Sequence, residues 1–111
     1  MDLVPIEVSC RDVQTRLDQG DDLLLLDCRE QTEFDIVSIA GATLIPMSEL
    51  QARAAELADH QSRDVIVVCH HGGRSQQVAT WLRQQGFARA QSMAGGIDRW
   101  SLEINPVLPR Y

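Results

Sequence analysis

Between Val65 and Leu82 the chain reads VIVVCHHGGRSQQVATWL: four apolar residues, then Cys69, two histidines, two glycines, Arg74, and an amphipathic pattern. Gly72 and Gly73 take positive φ without a Cβ penalty, so the stretch from Cys69 to Ser75 can curl until successive N–H groups point inward and form an anion-binding ring. A helix starting at Ser75 adds the partial positive charge of its N-terminus, and Arg74 adds a full one. The same field favours the nucleophilic thiolate of Cys69. The chemistry on offer is attack by sulfur on an anionic substrate that the loop holds. An inert buried thiol at a strand end is the commonest fate of a free cysteine, but such a residue has no use for a Gly-Gly-Arg loop after it.

The elements that must position this loop alternate strand and helix. Ile6–Val8 reads as a short strand, and Ser9, with Asp12 three residues on, caps a helix that stops at Gly20. Leu23–Asp27 and Val65–Val68 are continuous apolar runs, as parallel strands covered on both faces require, and the second is the central one. A helical turn around Thr32–Ile36, a strand at Thr43–Ile45 and a helix capped by Ser48 with Leu50, Ala54 and Leu57 on one face lie between them. After the loop come a helix over Ser75–Gln85 with Trp81 in its buried stripe, a strand near Ala90–Ser92, the turn Ala94–Gly96 and a short helix through Trp100. This is an α/β fold with a largely parallel sheet, and it puts Cys69 at the carboxyl end of a central strand, where open α/β sheets bind ligands.

With 111 residues, 44% of them hydrophobic, the chain is read as a single domain, 1–111. The start lacks a basic region and a long apolar run, so the expectation is a soluble protein of the cytoplasm with no membrane contact. Three cysteines without a Cys-x-x-Cys pair fit a reducing compartment. A formal charge of −6 with no Lys/Arg cluster makes nucleic acid a poor partner, and an anionic substrate needs a local positive site.

The loop CHHGGRS, with LLLLDCREQTEF upstream, IAGATLIPM after it and MAGGIDRW near the C-terminus, resembles the single-domain rhodanese family of thiosulfate sulfurtransferases over nearly the whole chain. The resemblance implies a central five-stranded parallel sheet with helices on both faces, and a persulfide on Cys69 during turnover. It implies that His70, His71, Gly72, Gly73, Arg74 and Ser75 form the substrate loop, with Arg74 attracting the donor. Asp27, Arg29 and Glu33 match the family's D-x-R-x-x-x-E segment, which supports the loop, and Gly95, Gly96 and Trp100 match its closing signature. Where the family commonly has Gly-His-Ile-Pro-Gly-Ala this chain has VSIAGA, with Ser38 at the histidine position. The implied reaction is ping-pong transfer of sulfane sulfur from thiosulfate to cyanide or a thiol, such as that of a small redox protein, with no metal, nucleotide or flavin.

Adjacent residues of an extended segment point apart, so His70 and His71 are not expected to converge on a metal with Cys69. A hydrogen-bonding role at the pocket mouth and plain solvation stay open for both. Cys28 is read as core filling rather than a resolving thiol, Cys10 has no role, and Trp81 and Trp100 are read as core. Two other functions use the same residues. A cysteine phosphatase or arsenate reductase has a related loop, but its phosphate-acting members carry five residues between cysteine and arginine where this chain has four. The other is a non-catalytic sulfur carrier or regulatory module: an intact Cys69 argues against a purely regulatory copy, whereas a carrier would keep the same residues and differ only in turnover.

Overall fold

The structure is a computed structural model and describes residues 4–111. Its strands are β1 (Glu7–Val8), β2 (Leu23–Asp27), β3 (Thr43–Leu44), β4 (Asp64–Val68) and β5 (Ala90–Met93). Its helices are α1 (Cys10–Asp18), α2 (Gln31–Ile36), α3 (Leu50–Arg53), α4 (Gly73–Gln84) and α5 (Gly96–Glu103). All strand pairings are parallel, in the order β1-β5-β4-β2-β3, so β4 is the middle strand. The expected five-stranded sheet with helices on both faces is the observed one.

The apolar run of β4 follows from two-sided burial. Val65 and Val67 join a cluster with Leu50, Val78 and Leu82 beneath α3 and α4, whereas Ile66 and Val68 join one with Val13, Ile97 and Trp100 beneath α1 and α5. Successive side chains of a strand face opposite ways, so each must be apolar when both faces are covered. Cys69 continues this alternation on the α4 side. The chain steps from β2 outward to β3 and then crosses back, laying β4 on the other side of β2. That reversal parts the connections leaving the carboxyl ends of β2 and β4 and opens a crevice there. Cys28 and Cys69 are the first residues past the two strands, and the Cys28 N–H donates to the carbonyl of Val68, the last residue of β4, at 3.0 Å.

Local details differ from expectation at two places. Ser9 caps α1 as expected, its Oγ accepting the Asp12 N–H at 3.1 Å. The helix after the loop, however, starts at Gly73 rather than Ser75, because Gly72, with φ of +107°, serves as its N-cap. Arg74 and Ser75 therefore lie inside the first turn. The single helix expected after Ser48 is instead a 3-10 turn (Met47–Glu49), one α-helical turn (α3) and a second 3-10 segment (Ala54–His60). Ser48 is not a cap: its hydroxyl donates to the Glu30 carboxylate at 3.1 Å. With only Leu50 and Leu57 buried along the segment, packing does little to enforce regular α geometry.

Candidate active site

Cys69 is buried, 1% exposed, at the floor of the crevice. The chain bends through residues 70–72, and the Gly72 N–H donates back to Cys69 Sγ at 3.0 Å. That turn needs glycine: φ is +107°, and a Cβ there would press on the Gly95 nitrogen at 3.2 Å. The N–H groups of Gly73, Arg74 and Ser75 open α4 and have no intrahelical acceptor, so they face the same end as the sulfur. Ser75 Oγ lies 3.3 Å from Sγ and 2.7 Å from Ser92 Oγ, and both serines are fully buried. Ser92 escaped the sequence reading, although a serine inside an otherwise inward-facing strand was its signal.

The turn at Gly95 and Gly96 closes the loop from behind. The N–H groups of Ile97 and Asp98, orphan donors of the first turn of α5, bond to the carbonyls of Cys69 at 2.8 Å and His70 at 3.1 Å. Gly96 has φ of +63°, and a Cβ there would collide with both carbonyls. Helix α5 and the loop thus hold each other chiefly through backbone, with His71 Nδ1 also 3.9 Å from Asp98 Oδ2. Trp100 is buried in the core as expected. Trp81 is only half-buried and borders a groove of about 230 Å³ with Met47, Leu50 and Gln77.

Arg74 does not reach into the loop. Its guanidinium grips Glu33 with Nη1–Oε1 of 2.7 Å and Nη2–Oε2 of 2.8 Å. This contact holds the Glu33 carboxyl down at about 2, against the upward push of burial, with the Glu30 N–H and the Tyr111 hydroxyl adding to it. Arg29 is fully buried, its Nε and Nη2 on the Asp27 carboxylate at 2.9 and 2.7 Å and Nη2 also on the Val37 carbonyl at 2.7 Å. It braces the α2 connection from inside the core. Tyr111, which the sequence reading passed over, donates its hydroxyl to Glu33 Oε2 at 2.8 Å and accepts from Arg29 Nη1 at 2.9 Å.

The histidines correct an expectation. Because the chain bends at residues 70–72, strand alternation does not apply, and the two rings lie together with centroids 3.9 Å apart. Tyr111 stacks on the other side of His70 at 3.8 Å, nearly parallel at 6°. Burial, and then His71, push His70 below the ordinary imidazole value. Among the described residues no cluster of three or more His, Cys, Asp or Glu could hold a metal. Burial pushes the Cys28 thiol up to about 12 and the Cys10 thiol up to about 11. Cys10 lies behind the closing turn, its Sγ 3.6 Å from the Ala94 carbonyl.

Residues 9–103 match the rhodanese-like domain family. The chain belongs to that family. Among curated relatives of this rhodanese-like domain, a rhodanese-like/PpiC domain-containing protein 12, chloroplastic, of Arabidopsis thaliana is 37% identical over 82% of the chain. A putative sulfur carrier protein YrkF of Bacillus subtilis is 30% identical over 86%. Both are longer proteins: the chain spans 31% of the first and 50% of the second. Of solved structures, the human single-domain sulfurtransferase TSTD1 superposes with a TM-score of 0.79 at 26% identity, covering 90% of this chain and 98% of that one. The domain is thus homologous both to a sulfurtransferase and to a sulfur carrier. Among the described residues no helix is long and apolar enough to cross a membrane.

Proposed function

We propose that the chain is a thiosulfate sulfurtransferase acting as one domain in a reducing compartment such as the cytoplasm, with Cys69 as nucleophile. The Cys69 thiolate attacks the outer sulfur of thiosulfate, the S–S bond breaks, and its electron pair leaves with sulfite. The persulfide then lies among the loop N–H groups, and a thiol or cyanide acceptor takes the terminal sulfur and restores the thiolate. The observation that carries this reading is the Gly72 N–H aimed at Sγ at 3.0 Å, beside first-turn N–H groups of α4 that have no helical acceptor. Cys10 and Cys28, held as thiols by burial, are unsuited to the same role.

Two features weigh against phosphate chemistry. The loop is one residue shorter than a Cys-x5-Arg cradle, and both prongs of Arg74 already hold a carboxylate where a phosphatase needs them for its substrate. The sulfur-carrier reading uses the same persulfide and differs in turnover. The test is multiple-turnover assay with thiosulfate and a thiol or cyanide acceptor. Many sulfite equivalents per chain support the enzyme, one equivalent supports the carrier, and phosphate-ester hydrolysis without sulfite overturns both.

A further inference from the structure

A protein of net charge −6 that takes a dianion must reverse its field at the mouth of the site, and Arg74 cannot do so alone because Glu33 pairs with it. The segment after α5 turns back across the mouth. Leu108 packs on the cluster beneath α5, and Arg110 fastens the segment to Asp98 with Nε–Oδ1 of 2.8 Å and Nη2–Oδ2 of 3.2 Å. Tyr111 then reaches three parts of the site at once. Its ring stacks on His70, its oxygen accepts from buried Arg29, and its hydroxyl proton goes to Glu33.

We infer that Tyr111 is a positioning residue that sets the charge selectivity of the mouth: it carries the polarisation of the buried Arg29 guanidinium to the Glu33 carboxylate, offsetting the charge that would repel an anionic donor. A phenol that accepts from a cation donates more strongly, since chained hydrogen bonds polarise one another at low local dielectric. Arg29 is fully buried and paired with Asp27, and its Nη1 donates to the Glu33 main-chain carbonyl at 3.3 Å and to the Tyr111 oxygen at 2.9 Å, so Tyr111 is the side chain through which it reaches the Glu33 carboxylate. Glu33, shared between Arg74 and Tyr111, presents less unbalanced charge to an approaching anion than it would with one partner. The ring stack has a second effect, fixing His70, the residue next to the nucleophile, in one orientation.

This inference rests on the proposed anionic donor, but its test does not. Cys69 is alkylated with iodoacetate, an anion, and with neutral iodoacetamide in the parent, Tyr111→Phe and Tyr111→Ala, with thermal unfolding as the check on folding. Phenylalanine keeps the stack and loses both hydrogen bonds, so it isolates the electrostatic role. The iodoacetate-to-iodoacetamide rate ratio is expected to fall about threefold in Tyr111→Phe and at least as far in Tyr111→Ala, the scale of one lost hydrogen bond to a charged group seen at partial exposure. The KM for thiosulfate should rise by a similar factor with a smaller change in kcat. A folded Tyr111→Phe with an unchanged ratio, or with both reagents slowed equally, overturns the inference. A lowered ratio with an unmoved thiosulfate KM leaves Tyr111 in this role and overturns thiosulfate as the donor.

Discussion

Arg74 and Glu33 face each other through two parallel hydrogen bonds of 2.7 and 2.8 Å, across 41 positions of sequence. The pair ties the first turn of α4 to the first turn of α2, and so ties the loop after β4 to the connection after β2. Arg74 acts at the rim, as one half of a nearly neutral pair, rather than as a free cation inside the loop.

Arg74→Ala therefore does more than delete a positive charge: it leaves the Glu33 carboxylate uncompensated at the mouth. The KM for thiosulfate should rise about tenfold and the iodoacetate-to-iodoacetamide ratio should drop, as expected when one partner of a charge pair is removed. Adding Glu33→Gln to Arg74→Ala should recover much of the loss, with a coupling of about 1 kcal/mol or more in the double-mutant cycle. Additive effects would mean that the pair does not act as a unit.

The same pair sets an acid limit. Glu33 has a folded-state value of about 2 against an ordinary 4.5, so its contribution to stability is present above about 4.5 and is lost as pH falls through 2. Urea midpoints measured in roughly unit steps from about pH 6 down to about pH 2 should fall less steeply for Glu33→Gln than for the parent. Parallel curves would remove Glu33 from the account of acid stability.

Much of this arrangement was open to sequence reasoning. The apolar runs at Leu23–Asp27 and Val65–Val68 have no other use than strands buried on both faces, and the switch from Cys69 to a glycine-rich turn and a helix locates the crevice. What stayed hidden depends on contacts across the chain. Tyr111 carries no local pattern that announces Glu33, 78 positions distant, and Ser92 none that announces Ser75, 17 positions distant, while the bend that brings the rings of His70 and His71 together sets aside the simple rule of strand alternation. Ser48 had the right type and spacing for a cap, but the Glu30 carboxylate competes for its hydroxyl.

Ser92 gives a further prediction. A hydroxyl has one proton, and Ser75 Oγ has three neighbours: Cys69 Sγ at 3.3 Å, the Gly72 carbonyl at 3.2 Å and Ser92 Oγ at 2.7 Å. When Ser92 donates to Ser75, the Ser75 proton is free to turn to a negatively charged sulfur. Ser92→Ala should slow iodoacetamide alkylation of Cys69 at neutral pH by about threefold, and Ser92→Thr, which keeps the hydroxyl, should lose less. Equal rates in all three proteins would reduce Ser92 to a packing residue.

Arg29 sits on the stability side of the ledger. Arg29→Met strands the buried Asp27 carboxylate and frees the Val37 carbonyl, at a cost of about 3–5 kcal/mol in urea unfolding. Asp27→Asn combined with Arg29→Met should cost less than the single change, because no lone charge is then left in the core. A double variant worse than the single one would contradict the pairing as the source of the cost.

The most direct measurement for the Cys69 persulfide is intact mass after anaerobic incubation with thiosulfate, with released sulfite assayed in the same tube and the modified peptide mapped. The account predicts that the parent gains the mass of one sulfur atom on Cys69, one sulfite appears for each sulfur gained, and Cys69→Ser gains nothing while remaining folded. Sulfur carried on Cys28 or Cys10, or full sulfite release by Cys69→Ser, would contradict it.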